Sequence, residues 1–309
     1  MNRKILFTGG GGAGTEVLWR ILSEKYELYF ADACLESIDG RIPCERKVVI
    51  PLANKKNFAD EIRNVCKVKG IDLIVPGVDE ELLPLCEGRN IDMPELFAPS
   101  TDFVRLMLDK LECANAIELA GLSVPKTLPF IKANEIKFPM IIKPRSGRGS
   151  RGVYVIGSEE EINAYMILYK TSPEKVVVQE LGVGDEYTIL VAGDKSGRLR
   201  AIVPVKVKQK KGITIRAKTE LNMHIINYVK KFHEIFKPSY IYNIQCILTK
   251  EGVVLPFEVN PRISTTFCLG VASGFDPFVR LTQSDNDEIF MPKENYMLER
   301  NWSNTITKC

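Results

Sequence analysis

Short apolar runs alternate with amphipathic stretches through the first hundred residues of the chain. The runs predict strands, and they read KILFT, ELYFA, KVVI and IDLIVPG. The stretches have helical periodicity and read TEVLWRILSEKY, NFADEIRNVCKVKG and EELLPLCEG. Because parallel strands need long, usually helical connections, this alternation favours a parallel sheet with helices on both faces. We therefore predict an α/β fold whose first domain spans residues 1–98.

A glycine-rich turn follows the first predicted strand. Gly9, Gly11 and Gly14 match the G-x-G-x-x-G spacing, and Asp32 lies roughly 20 residues further on, where a ribose-binding acid would sit. One interpretation is a Rossmann-type domain of an NAD-dependent oxidoreductase. The other is an anion site in a substrate cleft, because these glycines offer N–H groups at a helix N-terminus.

Composition and charge exclude several classes of protein. The 309 residues are 45% hydrophobic and 26% charged, which is typical of a soluble globular protein with two or three lobes. A net charge of +3 is too small to indicate nucleic acid or a membrane surface as partner. No apolar run approaches the roughly 18 residues of a membrane span, and the start is too short for a signal peptide.

Cysteines and histidines narrow the chemistry further. The eight cysteines form no C-x-x-C pair and no zinc spacing with histidine, so we expect reduced thiols in a cytoplasmic protein. The two histidines, His224 and His233, lie in one helical stretch and are expected to be structural. Histidine-based triads and histidine-rich metal sites are therefore not expected.

The second half of the chain has a different organisation. Ser100 and Thr101 are good N-caps for a helix that we expect to run to about Ala120. Strands dominate after it, followed by a helix from about Leu221 to Phe236 and a hairpin with the turn KEG. The last 25 residues carry no assignable pattern.

The hairpin's second strand, within GVVLPFEVNPR, carries the most informative side chains. Strict alternation predicts that Val253, Leu255, Phe257 and Val259 face the core, which leaves Glu258, Asn260 and Arg262 on the other face. The paired strand adds Asn243 and Gln245 to that second face. Carboxylate and amide oxygens are ligands that Mg²⁺ prefers, and arginine binds phosphate or carboxylate. The alternative is a solvated strand face.

Further segments offer polar groups in loops and at strand ends. FPMIIKPRSGRGSRGVYVI places Lys143 at a strand end before a loop with three glycines, which is either a phosphate-binding loop or an ordinary turn. It lacks the G-K-[ST] ending, so it is not a Walker A motif. In VVVQELGVGDEYTIL, Gln179 and Glu180 suit a polar base edge, and Glu186 is either functional or a surface acid. The basic stretch over 198–218 is an electropositive wall or a solvated strand face.

In this order, the segments resemble an ATP-grasp enzyme, and more narrowly the large chain of carbamoyl-phosphate synthase and its single-copy amino-acid-ligase relatives. The resemblance is specific from about residue 99 to 282 and looser before it. The motifs that carry it are DK at Asp109-Lys110, IIKPRSGRGSRGV, VQELGVGDEYT, NIQ and FEVNPR. It implies a Rossmann-like domain over 1–98 and a two-lobed α+β ATP-grasp domain over 99–309, with lobes at about 125–182 and 183–309.

The resemblance also implies roles for individual residues. Arg262 would steady the reacting phosphoryl group, with Lys143 as a second catalytic residue. The implied metal ligands, for Mg²⁺ or Mn²⁺, are Gln245, Glu258 and Asn260. The implied ATP contacts are Lys110, Lys143, Gly147, Gly149, Ser150, Gly152, Val153, Gln179, Glu180, Leu181, Glu186, Gln245 and Phe257. Candidate substrate contacts are Lys206, Arg216 and Asp79. Asp79, with Glu80 and Glu81 beside it after a predicted strand, would either face the cleft and bind a cationic amine or belong to the first turn of a helix, where acids are favoured.

The expected activity is an ATP-dependent ligase that joins a small carboxylate to an amine through an acyl phosphate and releases ADP. Partners would be these small molecules and, as in related folds, a second copy in a homodimer; neither nucleic acid nor a membrane is expected. Alternatives are a small-molecule kinase or acyl-phosphate synthase, a non-catalytic nucleotide-binding subunit and the NAD-dependent oxidoreductase.

Overall fold

Three sheets organise the chain. The computed structural model describes residues 3–89, 92–281 and 288–301, and within them the first sheet is parallel with the order β3-β2-β1-β4-β5. Its strands are β1 (Lys4–Thr8), β2 (Glu27–Asp32), β3 (Lys47–Val49), β4 (Leu73–Val75) and β5 (Glu95–Leu96). Its helices are α1 (Thr15–Leu22), α2 (Phe58–Lys69) and α3 (Asp79–Glu87).

Alternation along β1 shows how this sheet is covered. Ile5 and Phe7 pack in one core with α1, whereas Leu6 packs in another core with α2 and α3. Both faces are therefore buried, as expected for parallel strands. The predicted parallel sheet with helices on both faces is confirmed.

Two helices follow where one was predicted, so the expectation of a continuous helix to about Ala120 is wrong. α4 (Thr101–Leu108) and α5 (Lys110–Leu119) are separated by Asp109, whose backbone is extended. The Asp109 carboxylate accepts hydrogen bonds from two amides of the first turn of α5 and binds Arg145 at 2.7 Å. The break is thus fixed by a side-chain cap that outweighs helix continuity.

The second sheet has four antiparallel strands in the order β6-β9-β7-β8. They are β6 (Thr127–Pro129), β7 (Met140–Pro144), β8 (Tyr154–Ile156) and β9 (Val176–Glu180), with α6 (Glu159–Tyr169) packed on them. The sequence interpretation missed α6, although Ser158 and Glu161 form its N-terminal signature. The Ser158 hydroxyl accepts from the Glu161 amide, and the Glu161 carboxylate accepts from the Gly157 amide.

The third sheet has six strands in the order β14-β13-β10-β11-β12-β15. They are β10 (Asp185–Gly193), β11 (Leu199–Lys211), β12 (Ile213–Thr219), β13 (Tyr240–Leu248), β14 (Val254–Asn260) and β15 (Met297–Glu299). The helices of this part are α7 (Met223–Phe236), α8 (Phe267–Ala272) and α9 (Pro277–Arg280). β12 and β15 were not predicted, and residues 302–309 of the unassigned terminus lie outside the described residues.

A bulge changes the alternation of β14. Gln245 pairs with Glu258, but Cys246 pairs with Pro256, so Phe257 is an extra residue in the strand. Val254 therefore joins Val259 in the core. The prediction that Val253, Leu255 and Phe257 face the core is wrong: Val253 is 42% exposed, Leu255 is only partly buried, and Phe257 lines a cavity.

The largest core joins the first sheet to the six-stranded sheet. Phe267, Phe275 and Phe278, near the end of the described chain, pack with Phe7 and Phe30 of the parallel sheet and with Val203 of β11. The four-stranded sheet has a separate core. No described helix is long and apolar enough to cross a membrane.

Candidate active site

A cavity of about 190 Å³ lies between the four-stranded and six-stranded sheets; we call it the inter-sheet cavity. Ile141, Leu181, Ile247 and Phe257 supply apolar walls from both sheets. The predicted site residues that line it are Lys110, Lys143, Gly147, Ser150, Val153, Gln179, Glu180, Leu181, Gln245, Phe257 and Glu258. Apolar walls with a few polar groups suit a flat heterocycle carrying a charged tail.

Lys143 is the most buried cation of this cavity. Its side chain is 4% exposed, and its Nζ donates to Gln179 Oε1 at 2.8 Å and to the Phe257 carbonyl at 3.0 Å. Burial lowers the pKa of the Lys143 ammonium to about 8, although the nearby Glu258 carboxylate opposes this shift. An anionic group bound in the cavity would favour the charged ammonium form of Lys143.

Lys110 follows the helix break and lies close to the loop over residues 146–152, which we call the glycine loop. Its Nζ donates to the Gly147 carbonyl at 2.8 Å and lies 3.5 Å from Glu258 Oε1. The Asp109 cap thus sets the start of α5 so that Lys110 points between the loop and β14. The first-half and second-half motifs DK and FEVNPR meet at this point.

The backbone of the glycine loop is left-handed at several positions, one of which is not a glycine. Gly149, Ser150 and Gly152 have φ angles of 68°, 57° and 70°, which is the left-handed region. Gly152 packs against Pro144 outside the cavity lining, and its carbonyl accepts from the Tyr165 hydroxyl at 3.0 Å. The Nε of Arg148 donates to Glu80 Oε2 at 2.7 Å, so the loop contacts the first turn of α3.

The predicted metal ligands lie on neighbouring positions of β13 and β14. Gln245 pairs with Glu258, and Asn260 is the partner of Asn243. The described residues hold no group of three His, Cys, Asp or Glu that could bind a metal by itself. One carboxylate and two amides nevertheless suit Mg²⁺, because this ion usually takes one or two carboxylates and completes its shell with phosphate oxygens and water.

A second, larger cavity of about 750 Å³ lies between the carboxyl edge of the parallel sheet and the six-stranded sheet; we call it the large cavity. Its walls share Arg148, Lys210 and Gln245 with the inter-sheet cavity. Predicted site residues in its lining are Gly149, Glu186, Gln245 and Arg262. The two cavities therefore meet beside the predicted metal ligands.

Close packing explains the N-terminal glycine motif. A side chain at Gly9 would lie 2.6 Å from Val78, and one at Gly11 would lie 2.3 Å from the Ser37 hydroxyl. The Asp32 carboxylate accepts a hydrogen bond from the Gly11 amide at 2.9 Å. Gly9, Gly11 and Asp32 all line the large cavity. The motif thus builds one wall of that cavity, and no dinucleotide is needed to account for it.

Arg262 joins the two halves of the chain. Its Nε and Nη2 donate to the two carboxylate oxygens of Asp79, at 2.5 and 2.9 Å, and its Nη1 donates to the Ile263 carbonyl. Both side chains of the pair are largely buried. Both carboxylate oxygens of Asp79 therefore hold Arg262. This pairing argues against Asp79 as a contact for a cationic substrate.

The structure does not bring the other two candidate substrate contacts to either cavity. Lys206 lies 2.6 Å from Asp185, and Arg216 is 58% exposed and pairs with Glu299 of β15. Lys210 lines both cavities instead, and its Nζ lies 2.7 Å from Glu186. The basic stretch therefore divides: Arg198, Lys208, Lys211 and Arg216 are exposed, as the solvated-face alternative predicts, whereas Arg200 is buried and Lys210 reaches the site.

Two further segments line the large cavity. Glu80 and Glu81 reach it from α3, as the sequence suggested for the acids of GVDEELLPL. Ser264, Thr265 and Thr266, from the segment after β14, also line it and were missed. The hydroxyl residues have no motif of their own.

The sequence matches a known family. The model of the ATP-grasp domain matches residues 107–266, which is more than half of the chain. Biotin carboxylase 1 of Bacillus subtilis is 27% identical over 180 residues, which cover 52% of this chain and 39% of the relative. A D-alanine–D-alanine ligase of Clostridium beijerinckii is 27% identical over 161 residues, which cover 48% of this chain and 53% of the relative. The match thus spans at most about half of either relative.

Solved structures share the fold at lower identity. A biotin carboxylase from Campylobacter jejuni has a TM-score of 0.70 at 15% identity, with 96% of this chain and 75% of that chain covered. An L-amino acid ligase from Bacillus licheniformis has a TM-score of 0.67 at 14% identity, with 86% and 69% covered. The predicted superfamily and its two-lobed fold are confirmed, whereas the narrower likeness to carbamoyl-phosphate synthase stays a prediction. This chain belongs to the ATP-grasp family.

Proposed function

We propose that the protein is an ATP-dependent ligase that joins a small carboxylate to an amine and releases ADP and phosphate. The observation that carries this proposal is the meeting of two cavities beside Gln245. One cavity offers apolar walls and cations for a nucleotide, and the other is large enough for two small substrates. The family relatives support ligase chemistry in general, and the substrates are part of the proposal.

ATP would lie in the inter-sheet cavity. Its base would stack between the apolar walls at Ile141 and Phe257, with Glu180 and the Leu181 backbone at its polar edge. The phosphates would then extend toward Lys110, Lys143 and the glycine loop, where backbone amides and two ammonium groups neutralise charge. This direction points the terminal phosphate at the large cavity.

Mg²⁺ would be held by Gln245, Glu258 and Asn260, and it would neutralise phosphate charge when bound. Glu258 already faces Lys110, so the carboxylate lies at a strongly cationic point of the site. Replacing Glu258 should cost at least as much activity as replacing Arg262, because a metal ligand is lost with the charge.

The reaction would depend on position and on charge neutralisation. A carboxylate oxygen of the first substrate attacks the terminal phosphorus of ATP, the bond to ADP breaks, and an acyl phosphate forms. The amine nitrogen then attacks the acyl carbon, and phosphate leaves with the bonding electrons. Arg262 would steady the transferring phosphoryl group and the tetrahedral intermediate. Removing such a donor typically costs on the order of 10²–10³ in rate.

The proposal is tested by measuring ADP release with ATP and Mg²⁺ against the twenty amino acids and small carboxylates, singly and in pairs. A ligase requires a pair. ADP release with a single carboxylate that becomes phosphorylated would instead favour a kinase. The Arg262→Ala variant should lose on the order of 10²–10³ in rate, whereas Arg216→Ala, outside both cavities, should keep its rate. An unchanged rate for Arg262→Ala would contradict the role of Arg262.

A further inference from the structure

Glu81 is a buried acid at the wall of the large cavity. Its side chain is 6% exposed, yet it lines that cavity from the first turn of α3. Most acids around it already have partners. Asp79 holds Arg262, Glu80 holds Arg148, and Asp32 accepts from the Gly11 and Cys34 amides.

Glu81 has no cationic partner among the described residues. Its one side-chain hydrogen bond comes from the Thr8 hydroxyl to Oε2. The Thr8 oxygen is itself approached by the Gly77 amide at 3.3 Å, so the hydroxyl proton is directed to Glu81. This arrangement fixes the carboxyl group from the β1 side and leaves Oε1 without a partner from the described part of the chain. A buried carboxylate without a cation is costly unless a ligand or a proton supplies the charge.

The groups that face Glu81 keep its proton affinity high. Burial raises the pKa of the Glu81 carboxyl to about 7. The Thr8 hydrogen bond and Arg148 of the glycine loop act against this shift, while Asp32 of β2 and Glu80 of α3 add to it. A carboxyl group with this pKa can accept a proton near neutral pH.

An amine substrate needs such a group. A primary amine is largely an ammonium ion at neutral pH, and it cannot attack an acyl phosphate until it has lost a proton. Arg262 lines the same cavity, so the reacting carbonyl group and Glu81 would share one space.

Building on the proposed ligase function, we propose that Glu81 binds the ammonium group of the amine substrate and removes one proton from it. The R–NH₃⁺ group gives its proton to Oε1 and becomes R–NH₂, and Glu81 becomes a carboxylic acid. The nitrogen then forms the C–N bond while the C–O bond to phosphate breaks. The remaining extra proton on nitrogen leaves with the departing phosphate, and Glu81 returns its own proton to solvent.

The test separates the two halves of the reaction with two nucleophiles. One is the amino acid amine from the pair that releases ADP in the screen above. The other is hydroxylamine, which is largely uncharged at neutral pH and converts an acyl phosphate into a hydroxamate without prior deprotonation. Glu81→Gln keeps the size of the side chain and an acceptor for Thr8, but it removes the base.

Glu81→Gln should form hydroxamate at the rate of the parent and should form amide at least about 10²-fold more slowly, the usual contribution of a general base. In the parent, amide formation should fall as the pH drops below about 7, where Glu81 is protonated. In Glu81→Gln the inflection near pH 7 should be absent, and amide formation should instead rise steadily with pH up to the pKa of the free amine, because only the deprotonated amine attacks. Glu87→Gln, at the other end of α3 and paired with Arg105, should change neither rate.

Thr8→Val is the second variant, and it applies even if Glu81→Gln folds poorly. Removing the hydroxyl donor should move the pH midpoint of amide formation upward, because that hydrogen bond lowers the pKa of Glu81. Parental amide formation by Glu81→Gln, an equal loss of hydroxamate and amide, or an unmoved midpoint in Thr8→Val would each overturn the inference while leaving the ligase intact. If the parent itself forms no hydroxamate, the proposed function falls, and the role of Glu81 falls with it.

Discussion

Nucleotide binding should depend on the single residue Lys143. Because of this residue, the affinity for ATP should decrease as the pH rises. The Lys143 ammonium has a pKa of about 8, so it is charged below that pH and neutral above it. We expect the affinity for ATP to fall as the pH rises from 7 to 9, measured by calorimetric titration. Lys143→Met should bind ATP about ten- to hundred-fold more weakly, since a hydrogen bond to a charged group contributes about 1.5–3 kcal/mol.

The methionine variant also controls for other titrating groups. Its residual affinity should not change between pH 7 and 9. An equal fall of affinity in the parent and in the variant would show that another group titrates and would contradict the assignment to Lys143.

The buried pair of Asp79 and Arg262 should stabilise the fold as well as orient Arg262. Removing one partner leaves a buried charge, which typically costs about 3–5 kcal/mol. We expect Asp79→Asn and Arg262→Gln each to lower the free energy of unfolding in urea by this amount. The double variant should cost clearly less than the sum of the two, because each single change already breaks the same pair.

The exposed pair of Glu87 and Arg105 gives a matched comparison, since both side chains are more than half exposed. Its removal should cost no more than about 1 kcal/mol. Additive losses for Asp79→Asn and Arg262→Gln would show that the two residues act independently.

Some residues of the site can be predicted from the sequence around them, whereas others are identified only by their contacts in the folded chain. Glu258, Asn260 and Arg262 could be predicted from the sequence because a strand alternates its faces and the motif is continuous. Glu81 was considered only as one of three adjacent acids, and Lys210 only as one member of a basic stretch, because what distinguishes each of them is the cavity it reaches. Asp79 was considered, but its true partner lies 183 residues away. Tertiary packing brings them together, since α4 contacts both α3 and β14.

Secondary structure could be predicted where one strong pattern governs a segment. The parallel strands and the hairpin of β13 and β14 had such patterns. The break at Asp109 was missed because the apolar pattern continues through it, and because the cap that fixes the break is held in addition by the distant Arg145. The bulge at Phe257 was missed because one inserted residue leaves composition unchanged while it reverses the faces of the strand.

The contact between the glycine loop and α3 can be tested separately from the reaction. Its ion pair joins Arg148 to Glu80, and the two side chains are 38% and 53% exposed. Such a pair is worth at most about 1 kcal/mol, and salt screens it. We expect Glu80→Gln to speed tryptic cleavage within residues 146–152 by up to about fivefold, and high salt to speed cleavage of the parent to a similar extent.

Glu80→Gln leaves every arginine of the loop in place, so the cleavable bonds are the same in both proteins. Asp102→Asn, a change at a side chain 97% exposed on α4, serves as the control and should not alter the rate. Equal cleavage of the parent and Glu80→Gln would mean that the ion pair does not hold the loop.

At the scale of the whole molecule, the two larger sheets share one core. Phe278 of α9 lies 6.1 Å from Phe7, 5.2 Å from Tyr26 and 5.5 Å from Phe97, measured between ring centroids. The first 98 residues, predicted as a domain, are thus completed by a helix from the far end of the described chain. This dependence has no local signal in the sequence.

Phe278→Ala should therefore destabilise the parallel sheet from a distance in sequence. Loss of a buried phenylalanine typically costs about 3–5 kcal/mol, measured as the free energy of unfolding in urea. Hydrogen exchange should also accelerate in β1 and β2. Leu119→Ala, at a side chain 89% exposed, is the control and should change little. A decrease in the free energy of unfolding of less than about 1 kcal/mol would show that α9 contributes little to the stability of the parallel sheet.

Transfer of oxygen from the carboxylate substrate to phosphate tests the proposed ligase most directly. The carboxylate identified in the screen is labelled with ¹⁸O on both oxygens and allowed to react with ATP, Mg²⁺ and the amine. If an acyl phosphate forms, one labelled oxygen stays with the phosphorus when the amine displaces it, so the phosphate released should carry one ¹⁸O per amide formed. Amide formation with unlabelled phosphate, or with release of AMP, would contradict the proposed reaction.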